Sequence, residues 1–237
     1  MECTKRERGT VLVTGGTRRI GRAIADELLS RGWKVLIHSR VGSGFFSADL
    51  ADSSEVETLF SRACEQAPDL CAIVNNASIF STAQVLPPEA VERLLQVNVH
   101  TPMRLTDLLG RYLMTRGSVG GVVNLLDTRV VGTSASGDTP YARSKRSLLM
   151  ATGAQARTWA PTLRVNGVAP GPVLPPSDVA NHEKGGDILL ARRPTVADVA
   201  SAVAYLLEAE AVTGQVLAVD AGQNLLAHAD ATSSWVG

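Results

Sequence analysis

A chain of 237 residues, 45% hydrophobic and 19% charged, is long enough for one large α/β domain over 1–237 and short for two. That composition excludes disorder, and a domain of this size buries enough surface to need no metal or disulfide staple. Lys and Arg number 23 against 23 Asp and Glu, a formal net charge of zero, which leaves no electrostatic footprint for nucleic acid or an anionic membrane.

Met1 to Gly9 are charged and run into the first apolar stretch with no signal core. No apolar run reaches the about 18 residues of a membrane span. Cys3, Cys64 and Cys71 have no C-x-x-C spacing and read as free thiols of a reducing compartment. A cytoplasmic protein is expected.

Thr10–Thr14 reads as the first strand, followed by a helix with Ile20, Ile24 and Leu28 on one face. Trp33–His38 and Phe45–Asp49 are the next strands, with only Val41–Gly44 between them, too few residues for a helix. A second helix starts at Asp52 or Ser53 and carries Val56, Leu59, Phe60 and Ala63 at helical spacing. Leu70–Asn75 is a strand; Pro87-Pro88-Glu89 then opens a third helix, with Val91, Leu94 and Leu95. Gly121–Leu126 and Leu163–Ala169 are strands on either side of a helix beginning at Tyr141. An irregular Pro/Gly-rich stretch runs from Pro170 to Gly186; a helix on Val196, Val199, Val203, Leu206 and Leu207 and a strand at Gln215–Asp220 follow. Nearly continuous apolar strands alternating with helices predict a Rossmann-type, doubly wound parallel sheet of about seven strands in a three-layer α/β/α fold.

Thr14-Gly15-Gly16-Thr17-Arg18-Arg19-Ile20-Gly21 falls at the first strand–helix junction. Glycines there let the backbone approach a pyrophosphate, and the helix N-terminus offers free N–H groups. A cofactor contact is expected from Gly15, Thr17, Arg18, Arg19, Ile20 and Gly21. The second strand ends in His38-Ser39-Arg40 with no acid; an acid there would bind NAD ribose hydroxyls, whereas Ser39 and Arg40 suit a 2′-phosphate, so the cofactor is NADP(H). Asp49, with Leu50, can meet the adenine, and Asn75-Asn76-Ala77-Ser78 at the end of the fourth strand can line the cofactor.

Tyr141 and Lys145, four apart, share a helix face. A lysine ammonium beside a phenol lowers its pKa and makes it a usable acid or base near neutrality. With the glycine turn, Asn75–Ser78 and Asn98 in the same order, the chain resembles the short-chain dehydrogenase/reductase family from about Thr10 to Leu225. The resemblance implies hydride transfer from NAD(P)H. It implies that Lys145 also binds the nicotinamide ribose, and that Asn98 orders a water in a proton relay. Pro170 and Gly171 would form the nicotinamide-side turn and Asp220-Ala-Gly222 the closing strand. It also implies a homotetramer built on the helices starting near Glu89 and Tyr141.

Three departures from the general family pattern go together. The middle glycine of the turn is Arg19, Asn-Asn-Ala-Gly becomes Asn75-Asn76-Ala77-Ser78 followed by Ile79-Phe80, and the serine ending the fifth strand becomes Asp127. All three resemble the pteridine reductase branch, which implies a pterin-like substrate held by Arg19, Ser78, Phe80, Asp127 and Tyr141. An ionised Asp would repel the negative charge that develops on a ketone oxygen. A protonated one, kept neutral by burial near Phe80, can give a proton to a ring nitrogen. Phe80 would stack the flat ring against the nicotinamide. Spacing to Tyr141 leaves Thr128 as the other candidate for the serine position, and with it a carbonyl reductase. A non-catalytic NADP(H)-binding protein is opposed by the intact Tyr141, Lys145 and Asn98.

Overall fold

A computed structural model describes residues 8–40, 46–131, 139–173 and 188–226. Seven strands form one parallel sheet: β1 (Arg8–Val13), β2 (Trp33–Ser39), β3 (Phe46–Ser47), β4 (Leu70–Asn75), β5 (Gly120–Leu125), β6 (Leu163–Pro170) and β7 (Val216–Val219). Their spatial order is β3-β2-β1-β4-β5-β6-β7, with every neighbouring pair parallel. The order reverses between β1 and β4. Strand C-terminal ends at such a switch point form the crevice in which open α/β sheets bind ligands.

The central strands are largely apolar because both their faces are covered. Leu12, Ile73, Val122 and Val165 face one core, packed by α2 (Ser53–Gln66) and α4 (Thr101–Thr115) through Leu59, Phe60, Leu105 and Leu109. Their neighbours Val11, Val13, Val74 and Val123 face the other, where α1 (Arg19–Ser30) and α6 (Val196–Glu208) bring Ile24, Leu28, Val199 and Val203. The two-residue side-chain period of a strand divides one apolar run between two cores.

Helix starts follow the capping residues. Asp52 accepts from the Ser54 and Glu55 amides and opens α2. Thr195 forms a capping box with Asp198 at α6, a device worth about 1 kcal/mol. Thr139 caps α5 (Pro140–Trp159), with Pro140 at its first turn. The third predicted helix is compound: α3 (Pro88–Leu95) passes through a π-turn at Gln96–His100 into α4. Strand ends differ from the predicted ones by one or two residues, and β3 ends at Ser47, short of the predicted Asp49, while the predicted start at Phe45 lies outside the described residues. A short α7 (Gln223–Leu226) follows β7. The Val41–Gly44 connection, the Leu174–Gly186 part of the irregular stretch, Cys3 and the tail beyond Leu226 lie outside the described residues.

Candidate active site

The turn from β1 into α1 is held by its backbone. Gly15 has φ +64 and Arg19 φ +54. The chain keeps the left-handed conformation at the position where the family pattern has glycine, and does so with an arginine. A Cβ on Gly21 would meet the Gly15 carbonyl oxygen at 2.2 Å, so the helix can start this close to the turn only with glycine there. Arg18 gives no side-chain cap and the first turn of α1 holds no acid, which leaves the positive helix end for a ligand anion.

Buried polar groups brace this turn. The Thr14 hydroxyl donates to the Val74 carbonyl and accepts from the Asn76 and Ala77 amides. The Asn76 side chain donates to the carbonyls of Thr14 (2.9 Å) and Gly15 (3.1 Å). His38 is 1% exposed; its Nδ1 accepts from the Gly15 amide at 3.2 Å and its Nε2 lies 3.0 Å from the Ala48 carbonyl. Those partners fix the neutral Nε2–H tautomer, and burial pulls the imidazole pKa below its ordinary value. The sequence pattern assigns His38 and Asn76 to the cofactor; in the structure these groups bond within the turn and, for His38, to Ala48 beside it.

Other assignments divide likewise. Ser39 and Arg40 stand at the open end of β2 with no carboxylate in that tripeptide. Asp49 pairs with Arg93 at 2.8 Å, and the Ala51 amide and Arg93 hold its carboxyl below the usual range. Both side chains line an open pocket with Ala51, Asp52 and Ser53. Leu50 is buried in the core, and its carbonyl accepts from Thr101 Oγ1. Thr17, Arg18, Arg19 and Ile20 line the turn, while Ala77 and Ser78 follow β4 across the switch point. Pro170 ends β6, and Gly171 lies so close to Asp220 that a Cβ would meet its side chain at 2.7 Å. A glycine turn, an uncapped helix start and an acid-free β2 end together fit a phosphorylated dinucleotide.

The catalytic group stands at the ends of β5 and α5. The Tyr141 hydroxyl donates to Asp127 at 3.1 Å. Thr128, by contrast, is buried and its hydroxyl donates to Asp220, away from the phenol. Of the two candidates for the serine position, Asp127 is the one in contact with Tyr141. Lys145, fully enclosed, donates to the Leu125 carbonyl at 2.8 Å, with its Nζ 5.8 Å from the Tyr141 ring centre. Burial pulls its amine down to about 8, Asp127 opposing.

Two expectations are corrected here. Tyr141 does not have a lowered pKa: burial first, then the Asp127 carboxylate, push the phenol well above its ordinary value against the pull of Arg129. Desolvation of a phenolate in this site is the largest cause. Nor is the Asp127 carboxyl isolated beside Phe80. Arg129, which no sequence motif singles out, bonds it through Nε (3.0 Å) and Nη2 (2.9 Å), and the Phe80 ring stands edge-on to Tyr141 at 4.9 Å. The signal for Arg129 was its position two residues beyond Asp127, where a tight turn folds it back.

Asn98 sits in the π-turn, a local irregularity frequent at functional sites. Its side chain is 0% exposed. It accepts from the Ile79 amide and Ser78 hydroxyl, and donates to the Ile79 carbonyl and to Ser144. Ser144 in turn donates to the Tyr141 carbonyl. Asn98 therefore ties the Ser78–Phe80 segment to the helix turn carrying Tyr141, and its side chain is spent on that link. Among the described residues no group of His, Cys, Asp and Glu could hold a metal ion, and no helix is long and apolar enough to cross a membrane.

A family model described as enoyl-(acyl carrier protein) reductase matches residues 15–224. The chain is 30% identical to the dihydromonapterin reductase of Citrobacter koseri, over 91% of this chain and 96% of the relative. It is also 30% identical to a granaticin polyketide synthase ketoacyl reductase of Streptomyces violaceoruber, over 93% and 98%. The crystal structure of FolM alternative dihydrofolate reductase 1 from Brucella canis, complexed with NADP, superposes with a TM-score of 0.82 at 34% identity, over 92% of this chain and 95% of that one.

Proposed function

Because the chain belongs to the short-chain dehydrogenase/reductase family, we propose that it reduces dihydropterins, or related reduced folates, to their tetrahydro forms with NADPH. Two of the similar proteins, a dihydromonapterin reductase and an alternative dihydrofolate reductase complexed with NADP, support both substrate and cofactor. Identity alone does not separate them from the ketoacyl reductase at 30%. The single observation that carries the choice is the carboxylate of Asp127 at 3.1 Å from the Tyr141 hydroxyl. An acceptor-only carboxylate there repels the oxyanion of a reacting ketone, whereas a ring nitrogen that takes up a proton develops no such charge.

The turn residues Gly15 to Gly21 would hold the pyrophosphate, Ser39 and Arg40 the 2′-phosphate, and Asp49 the adenine side. Ala77, Ser78, Lys145, Pro170 and Gly171 would flank the nicotinamide half. When bound, NADPH supplies the hydride. Tyr141 keeps its proton at neutral pH because burial and Asp127 oppose the phenolate, so it enters the reaction as a donor. Asp127 would orient that O–H, and the only proton it could pass toward the ring nitrogen is the one Tyr141 already donates to its Oδ2; Lys145 would stand beside the ribose and steady the Leu125 end of β5. Phe80 and Arg19 form the substrate's other walls.

We also infer a single domain and a cytoplasmic homotetramer. Free, half-buried Cys64 and Cys71 support a reducing compartment. An exposed stripe of Arg143, Ser147, Met150 and Ala154 along α5 supports a face for a second copy. Light scattering should give four times the chain mass; the mass of one chain would end that part of the proposal. The function itself is tested by NADPH oxidation with 7,8-dihydrobiopterin, dihydrofolate and a β-ketoacyl thioester. Turnover of the pterins is expected. Turnover of the thioester alone would make the chain a carbonyl reductase.

A further inference from the structure

Arg129 is the charged group in the cleft that the reaction leaves unexplained. Its position is set by three of the four hydrogen bonds that converge on Asp127. Oδ1 accepts from the Arg129 amide (3.0 Å) and Nε (3.0 Å), and Oδ2 accepts from Arg129 Nη2 (2.9 Å) and the Tyr141 hydroxyl (3.1 Å). An ionised carboxylate has about four acceptor sites. All are filled, so Asp127 has none left for an N–H group of the substrate.

The guanidinium carbon lies 5.6 Å from the Phe80 ring centre and 5.4 Å from that of Tyr141. It occupies the angle between the two rings that flank the expected substrate. Nε and one Nη2 hydrogen are spent on Asp127, while Nη1 has no hydrogen-bond partner among the described residues. The side chain is 42% exposed. At this edge the cleft therefore offers donors, not acceptors.

We propose that Arg129 is a substrate-binding, specificity-determining residue whose Nη1 group donates to a carbonyl-type oxygen on a flat heteroaromatic ring, selecting 4-oxo over 4-amino pteridines. This rests on the pterin reading of the same site. A 4-amino group would set N–H against N–H, and the filled carboxylate of Asp127 could not compensate by accepting from it. A fixed charged donor left facing a ligand donor is costly, and a site built on such a bond discriminates strongly against an analogue that cannot make it.

The test compares wild type with Arg129→Gln and Arg129→Lys. KM for 7,8-dihydrobiopterin, Ki for methotrexate as the 2,4-diamino probe, Kd for NADPH and Tm are measured for each. Arg129→Gln should raise KM about 10- to 100-fold, the worth of one charged hydrogen bond, and leave Ki unchanged or lower. Arg129→Lys, which keeps an N–H donor, should recover part of the KM loss. NADPH affinity and Tm should hold. An unchanged KM-to-Ki ratio in Arg129→Gln, or NADPH affinity lost in parallel with KM, would overturn the proposal by making Arg129 a structural brace. Wild type that binds 4-oxo pterins through Arg129 without reducing them would leave this inference standing and remove the proposed function. Wild type that neither binds nor reduces them would end both.

Discussion

The two walls of the cleft are built differently. Around the β1–α1 turn, position is set by backbone conformation and neutral buried groups: Gly15, Thr14, Asn76 and the uncharged His38. Around the β5–α5 junction it is set by charges that hold one another: Asp127, Arg129, Lys145 and the phenol between them. A dinucleotide wall must present the same amides whatever the substrate, and its frame is held by backbone and neutral buried groups. The reaction wall must move a proton, so its groups are ionisable and their order depends on mutual charge. Losses on the first wall should appear in cofactor affinity and stability, and losses on the second in turnover.

Tyr141→Phe should show the largest effect, a fall in kcat of about 100- to 10,000-fold with NADPH affinity retained; stopped-flow turnover and cofactor titration check both. A comparable loss of cofactor affinity would break the division. Thr128→Val removes a buried donor from Asp220 and should cost about 1–3 kcal/mol in a denaturant melt, leaving kcat unchanged. A collapse of kcat at intact stability would give Thr128 the serine role. Arg19→Gly relieves a left-handed arginine (φ +54); relief minus the greater flexibility of glycine leaves a gain of about 0.5–1 kcal/mol. NADPH affinity should fall at the same time, because the side chain at the turn is lost.

The smallest effect is that of pH on His38. Its folded pKa lies below the ordinary 6.5, so as pH falls through 6.5 the unfolded chain takes up a proton that the folded chain refuses. Stability contributed by the neutral ring is complete above 6.5 and declines below it, until the folded ring also titrates. Tm measured between neutral and mildly acidic pH should fall more steeply for wild type than for His38→Gln. Parallel slopes would show that the ring is not the group responsible.

Much of this was legible in the sequence, and unevenly so. The seven predicted runs became seven strands, the central ones covered on both faces, and Asp52 marks a helix start through local side-chain bonds. The turn residues are legible because a short motif carries its own geometry. His38 was legible as a residue of the β2 end but not in its role, since only the folded chain brings Gly15 and Ala48 to its two nitrogens. The raised Tyr141 pKa was not legible, because it depends on burial and on which charges meet in space; of the Arg129 partnership only its closeness in sequence to Asp127 was visible. The π-turn at Gln96–His100 has no pattern in the apolar spacing that announces it.

The central claim is that Asp127, in contact with Tyr141, makes this a pterin site, and Asp127→Asn tests it most directly. Asn can neither charge-pair with Arg129 nor fill all four acceptor positions. With 7,8-dihydrobiopterin the account predicts kcat at least about 100-fold lower, with NADPH affinity kept. Undiminished pterin turnover by Asp127→Asn, or a wild type that binds NADPH and reduces only ketones, would contradict it.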